Sequence, residues 1–148
     1  MKYLKRFWKT FKDYFHRTTE LALPKKVDSN EPLSRYIFNE RHIDVQHRRI
    51  KPGAFIPPAN SRLSVFRISG LLEDIIWDIG KKVGNISHRK LCGRADVIAF
   101  EFEKRGFQIE ANDNPPRHAD IIRWPDEKAK RLSIAQELAE IAKLSIYS

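Results

Sequence analysis

The sequence predicts an α+β fold: a small, mostly antiparallel or mixed sheet covered by helices, with an amphipathic basic helix at the N-terminus. Three observations carry this expectation. Short runs rich in β-branched and aromatic residues, such as Leu63–Ile68 and Asp120–Trp124, read as strands. Longer stretches with apolar residues at spacings of three and four read as helices. The two kinds alternate as strand–helix–strand–helix–strand–strand–helix, an order suited to a small sheet with helices laid over it. At 148 residues the length is a prior for one domain. The chain divides into a basic helix over 1–26, a linker over 27–33 and a single α+β domain over 34–148.

Each element has a local reason. In residues 2–22, Leu4, Phe7, Trp8, Phe11, Tyr14 and Phe15 share one helical face, and Lys2, Lys5, Arg6, Lys9, Lys12 and Arg17 take the other. Pro24 stops that helix. Lys25 to Pro32 is polar and bracketed by prolines, which suggests a linker. Residues 34–56 read as a short helix or irregular segment followed by a turn at Pro52-Gly53. Pro57 to Ser61 is a loop, and Leu63–Ile68 is a strand. Leu71 to Ile79 is a helix, with Leu72, Ile75, Ile76 and Ile79 on one face and Glu73 and Asp74 in the first turn, where acids suit the dipole. Gly80 and Gly84 are expected to close it. Arg89 to Ala95 suggests a short strand interrupted at Gly93.

Asp96 to Gly106 has two readings. Ile98, Phe100 and Phe102 alternate with Ala99, Glu101 and Glu103, as in a strand. The preferred reading is a helix with Asp96 as N-cap and Gly106 as the left-handed terminal residue. Phe107–Ala111 is then a strand, Asn112 to Pro116 a loop, and Asp120–Trp124 a strand. Asp126 caps a last helix whose buried stripe is expected to be Ala129, Leu132, Ala135, Leu138, Ile141 and Ala142.

Composition excludes several classes. Charged residues make up 32% of the chain, mean hydropathy is -0.54, and no run approaches the apolar length of a membrane span. Hydrophobic residues at 41% are enough to pack a core, which excludes wholesale disorder. One cysteine, Cys92, excludes a disulfide framework. Lysines at 2, 5, 9 and 12 interrupt any secretory apolar region, so a cytoplasmic location is expected. The formal net charge of +9 is uneven. Residues 1–26 hold eight basic and two acidic residues, whereas residues 95–148 hold eight basic and ten acidic ones. Such asymmetry points to an anionic partner.

The segments Ala54–Pro58, Leu63–Arg67, Gly93–Asp96 and Pro115–Ile121 resemble a group of small bacterial proteins. The resemblance covers roughly residues 50–125, about half the chain, and leaves the basic helix outside. No activity is established for that group, so the resemblance implies no catalytic residue. It keeps an antiviral or toxin role among the expectations.

The candidate residues fall into three groups. For nucleic acid, Lys2, Lys5, Arg6, Lys9 and Lys12 line the basic helix face, and Arg41, Arg48 and Arg49 lie beside His42 and His47; phosphate contacts by such residues release counterions. For docking on a partner protein or a membrane surface, Leu4, Phe7, Trp8, Phe11 and Phe15 form the apolar face. Packing on the protein's own core is the structural alternative for that face. For chemistry, Arg67, Arg94 and His118 each sit near a strand end. A guanidinium fits phosphate, and imidazole serves as general acid or base near neutral pH. The structural alternative pairs the arginines with Asp96 or Asp120 and has the histidine cap a loop.

His42, Asp44 and His47 form H-x-D-x-x-H, but a spacing of five does not align the histidines on one helical face, so no metal and no cofactor are expected. Glycine-rich phosphate loops and nucleophile elbows are missing, and Cys92 reads as a small buried hydrophobe. The leading expectation is a non-enzymatic basic interaction module of a bacterial assembly, docking on a partner protein and contacting nucleic acid. The alternatives are a metal-independent, toxin-like ribonuclease using His118, Arg67 and Arg94, and a membrane-surface-attached protein.

Overall fold

The computed structural model describes residues 23–148. The helix expected over 2–22 lies outside them, and with it Lys2, Lys5, Arg6, Lys9, Lys12, Leu4, Phe7, Trp8, Phe11 and Phe15. The described chain runs β1 (Pro32–Ile37), β2 (Ile43–Asp44), β3 (Arg49–Ile50), β4 (Leu63–Arg67), α1 (Glu73–Ile86), β5 (Gly93–Ile98), α2 (Ala99–Glu103), β6 (Gln108–Ala111), β7 (His118–Ile122), α3 (Lys128–Ile141) and β8 (Lys143–Ile146). Short 3-10 turns occupy Glu40–His42 and Pro52–Phe55. The main sheet has six strands in the order β6-β7-β4-β1-β5-β8. Every neighbouring pair in it is antiparallel. β2 and β3 form a separate small hairpin. The α+β expectation holds, and the sheet is antiparallel rather than mixed.

Strand alternation decides which residues enter which layer. One face carries Leu33, Leu63, Val65, Ala95, Val97, Ala119 and Ile121, packed under the Pro52–Phe55 turn and α3. The opposite face carries Tyr36 and Phe66, packed against Ile76 and Ile79 of α1. Among the described residues no helix is long and apolar enough to cross a membrane.

Several expectations are corrected by packing. Residues 27–33 do not behave as a linker. Val27 and Leu33 join the main core, Glu31 is buried, and Pro32 opens β1, a first-strand position where a missing N–H costs little. The segment 34–56 is mostly strand and 3-10 turn. α1 runs through Gly80 and Gly84 instead of ending there. These glycines permit close approach. A Cβ at Gly80 would lie 2.6 Å from the Tyr36 ring, and one at Gly84 would lie 2.6 Å from the Arg89 carbonyl oxygen.

Residues 96–106 split between the two readings. Asp96 is held in β5, opposite Ser34 of β1 and Lys143 of β8, so the helix starts only at Ala99. Gly106, at φ +88°, does adopt the left-handed conformation after it. α3 is preceded by Glu127 rather than Asp126 as its cap residue. Its buried stripe is the narrower Ala135, Leu138 and Ala139, and Leu132 and Ile141 remain 43% and 45% exposed. β8, at the edge, has no counterpart in the sequence reading.

Candidate functional site

The site begins where two strands part. β1 pairs with β5 from Pro32↔Ile98 to Ile37↔Gly93, whereas its register with β4 covers Leu33↔Arg67 and Ser34↔Phe66. Beyond Ser34 the Arg35 side chain bridges β1 to its neighbours. Its Nε donates to the Ala54 carbonyl oxygen and its Nη1 to that of Ser64, both at 3.0 Å. No carboxylate pairs with Arg35 among the described residues. Burial, with the nearby Arg89 charge adding to it, lowers its pKa to about 10. A guanidinium held by carbonyl oxygens, beside a second cation, has unspent capacity for an anion.

Arg35 opens onto a cleft of two adjoining cavities, about 590 and 630 Å³, which share Arg35, Tyr36, Phe38, His42 and Arg89. The Arg89 guanidinium lies 4.4 Å from the Phe38 ring centre, a contact that fixes the charge at the rim. Tyr36 is pinned through its hydroxyl, which donates to the Ile76 carbonyl oxygen at 2.5 Å, and its ring packs on Phe66. His42 stands against Gly53, where a Cβ would come within 2.8 Å of the imidazole. Burial, then the charges of Arg35 and Lys51, push the His42 pKa down. The cleft therefore combines fixed cations with aromatic walls, and Glu40 adds a carboxylate to the 630 Å³ cavity.

The larger strand register places a polar chain at one end of this cleft. Ser64 lies opposite Asp120 across β4 and β7, and Phe66 lies opposite His118. Ser64 and His118 are thus diagonal neighbours on one sheet face, within reach of each other. His118 Nε2 is 3.0 Å from Ser64 Oγ, and His118 Nδ1 is 2.7 Å from Asn112 Oδ1. Asn112 Nδ2 donates to Asp120 Oδ2 at 3.1 Å, and Arg62 Nε donates to the same oxygen at 3.1 Å. Arg62 also binds Glu110 at 2.6 Å. The imidazole edge packs on Phe66, with ring centres 5.4 Å apart.

Donor and acceptor capacities fix the tautomer. A carboxylate only accepts, so the Asn112 amide nitrogen faces Asp120. The Asn114 backbone N–H, which only donates, meets Asn112 Oδ1 at 3.2 Å. Asn112 therefore offers oxygen to His118, Nδ1 carries the proton, and Nε2 is left to accept the Ser64 hydroxyl. Burial lowers the His118 pKa from 6.5, the Arg62 charge adds to that, and the Asp120 charge opposes it. The imidazole is neutral at pH 7, with a free lone pair aimed at a hydroxyl.

Of the three residues expected to carry chemistry, only His118 lines the cleft. The Arg67 side chain is 0% exposed. Its Nε and Nη2 donate to Glu31 Oε1 and Oε2 at 2.5 and 2.9 Å. Arg94 donates from Nε to Asp96 at 3.2 Å and from Nη2 to Glu73 at 3.0 Å, and it stacks over Trp77 at 4.6 Å. Both guanidiniums are spent on ion pairs, so the three do not form one constellation. Arg41, Arg48 and Arg49 are exposed around the β2–β3 hairpin. His47 Nδ1 sits 2.8 Å from Asp44 Oδ2, while His42 faces Gly53. His42 thus points away from the Asp44–His47 pair, and among the described residues no group of three ligating side chains converges. Cys92 is half-buried, and burial raises its thiol pKa.

Sequence reasoning missed Arg35, Ser64, Asn112 and Arg89. A signal for one of them existed. Leu63-Ser64-Val65-Phe66 and His118-Ala119-Asp120-Ile121 each alternate polar or aromatic residues with small or aliphatic ones, which puts Ser64 and His118 on the face away from the main core. Their mutual register had no sequence signal. Comparison of the chain with protein-family models, curated proteins and solved structures gives no match.

Proposed function

We propose that this protein is a basic interaction module that holds nucleic-acid phosphates in the Arg35–Arg89 cleft, as part of an assembly it joins through a partner protein. One observation carries the reading: Arg35 presents a guanidinium without a carboxylate partner among the described residues to a cleft that Arg89 also lines. Burying a charge without a counter-ion is unfavourable, and an anionic ligand relieves it. Phosphate suits the planar fork, and the half-buried Phe38 offers ring surface to a base. Arg41, Arg48 and Arg49 extend the positive surface from the neighbouring hairpin. In this reading the partner docks on Leu4, Phe7, Trp8, Phe11 and Phe15, with Lys2, Lys5, Arg6, Lys9 and Lys12 adding phosphate contacts. A role in antiviral defence rests on the resemblance alone.

The test is binding of fluorescent single-stranded RNA and DNA oligonucleotides to the full chain across a salt series. Arg89→Gln changes an exposed residue, so the fold tolerates it. It is expected to weaken binding and to flatten the log–log salt slope by about 0.7 for a lost single-strand phosphate contact. Undiminished binding by Arg89→Gln together with Arg35→Gln, or salt-independent binding by the wild type, overturns the reading.

A further inference from the structure

We infer that Ser64 is a nucleophile, with His118 as its general base and Asn112 as the residue that positions the base, in a phosphoryl-transfer site for phosphodiesters. The inference rests on the phosphate-binding reading of the cleft and adds a reaction to it. Its basis is an ordered relay. Ser64 Oγ is 3.0 Å from His118 Nε2, His118 Nδ1 is 2.7 Å from Asn112 Oδ1, and Asn112 Nδ2 is 3.1 Å from Asp120 Oδ2. This is the arrangement of an activated nucleophile: hydroxyl, base, and a third group orienting the base. Amide and carboxylate chemistry admit only the tautomer in which Nε2 accepts the hydroxyl proton.

The surroundings suit phosphorus. Ser64 and His118 line the same cavity as Arg35, Arg62 and Arg89. Arg35 is anchored on the Ser64 carbonyl oxygen itself, so its charge lies beside the attacking residue and can take up charge on the phosphoryl oxygens. Asp120, which would repel a phosphate, is paired with Arg62 at 3.0 Å, a guanidinium it shares with Glu110 at 2.6 Å. Its Oδ1 lies 3.6 Å from His118 Nε2, close enough to stabilise the imidazolium formed when the proton arrives.

The steps balance. Ser64 Oγ attacks phosphorus and its proton passes to His118 Nε2. The bond from phosphorus to one ester oxygen breaks, and the leaving alcohol takes that proton. A phosphodiester on Ser64 remains. Water, deprotonated by the same imidazole, then attacks phosphorus and releases a phosphate monoester, and the Ser64 hydroxyl regains its proton. A ribonuclease of the kind expected from sequence would have used Arg67 and Arg94. Here those two are occupied elsewhere, and the partners of His118 are Ser64 and Asn112.

The experiment uses the full chain with excess bis(4-nitrophenyl) phosphate. Intact-mass analysis and peptide mapping of the wild type locate any adduct whether or not variants fold. Expected are a 4-nitrophenyl phosphate adduct on the peptide holding Ser64 and a matching burst of 4-nitrophenolate. Ser64→Ala abolishes both. His118→Gln slows the burst by about 100-fold or more, the usual reach of general-base catalysis. Asn112→Ala shifts the pH profile of the burst, which a merely structural residue would not do. Oligonucleotide binding is measured on the same samples. A wild type that binds oligonucleotide but gives no adduct, or an adduct on another peptide, overturns this inference and leaves the phosphate-binding reading standing. Loss of both overturns both.

Discussion

Replacing Glu31 with glutamine removes the only carboxylate bound to Arg67 among the described residues and keeps the shape. The Arg67 side chain is 0% exposed, and that of Glu31 is 5% exposed. Two bonds, at 2.5 and 2.9 Å, join them in a fork. Arg67 Nη1 already has no hydrogen-bond partner among the described residues. The variant therefore leaves a buried cation that water cannot reach. Breaking such a pair from one side costs about 3–5 kcal/mol. That is a large share of a total stability of roughly 5–15 kcal/mol. In a chain of this size each kcal/mol moves Tm by about 2–4 °C, so a fall of about 6–20 °C is expected. Urea denaturation followed by circular dichroism gives the free energy directly. The double variant Glu31→Leu with Arg67→Met removes both charges together. It is expected to lie within about 1–2 kcal/mol of the wild type, because desolvation of the pair offsets most of its attraction. A single-variant loss under about 1 kcal/mol, or a double variant as unstable as the single one, would refute the reasoning. Phosphate binding by the double variant should be unchanged, because Arg67 does not line the cleft.

Gly80→Ala gains about 1 kcal/mol of helix propensity but drives a Cβ to 2.6 Å from a Tyr36 ring held by Ile76 and Phe66. Overpacking of about 1–3 kcal/mol outweighs the gain, and thermal melts should show a net loss; a rise in Tm would sink the account. Leu138→Ala, at a fully buried position, should cost about 2–5 kcal/mol, whereas Leu132→Ala on the exposed side of the same helix should stay within about 0.5 kcal/mol. For His118 the folded pKa lies below 6.5, so between the two values the unfolded chain binds the proton first. Its contribution is complete above pH 6.5 and is lost as pH falls through the folded pKa. His118→Gln should remove that part of the acid sensitivity, seen as a flatter stability profile below pH 6.5.

Much of the fold was legible because it depends on short-range pattern. Alternation in Leu63–Arg67, the apolar spacing of α1, and Gly106 as a left-handed residue are local, and local sterics decide them; the strand expected over Asp120–Trp124 runs two residues earlier, His118–Ile122, because pairing with β4 and β6 sets its ends. The failures share a cause. Gly80 and Gly84 read as helix ends because a glycine in sequence carries no sign of the ring or carbonyl that will press on it. Asp96 read as a helix cap because a cap needs one residue, while the strand that claims it needs Ser34 and Lys143 from distant parts of the chain. Leu132 and Ile141 fit the period of α3, but the surface beneath the helix is only as wide as Ala135, Leu138 and Ala139.

Local pattern along the chain sets the class of fold, the uneven positive charge and the identity of the side chains that alternate on each strand. Tertiary structure alone decided which of those side chains meet. Arg67 and Arg94 became structural because Glu31, Glu73 and Asp96 reach them first. Arg35 became available because β1 and β4 part beyond Ser34, and Ser64 met His118 because the register of β4 against β7 set them diagonally. Register and strand divergence come from the summed packing of both sheet faces, and no single segment carries that sum.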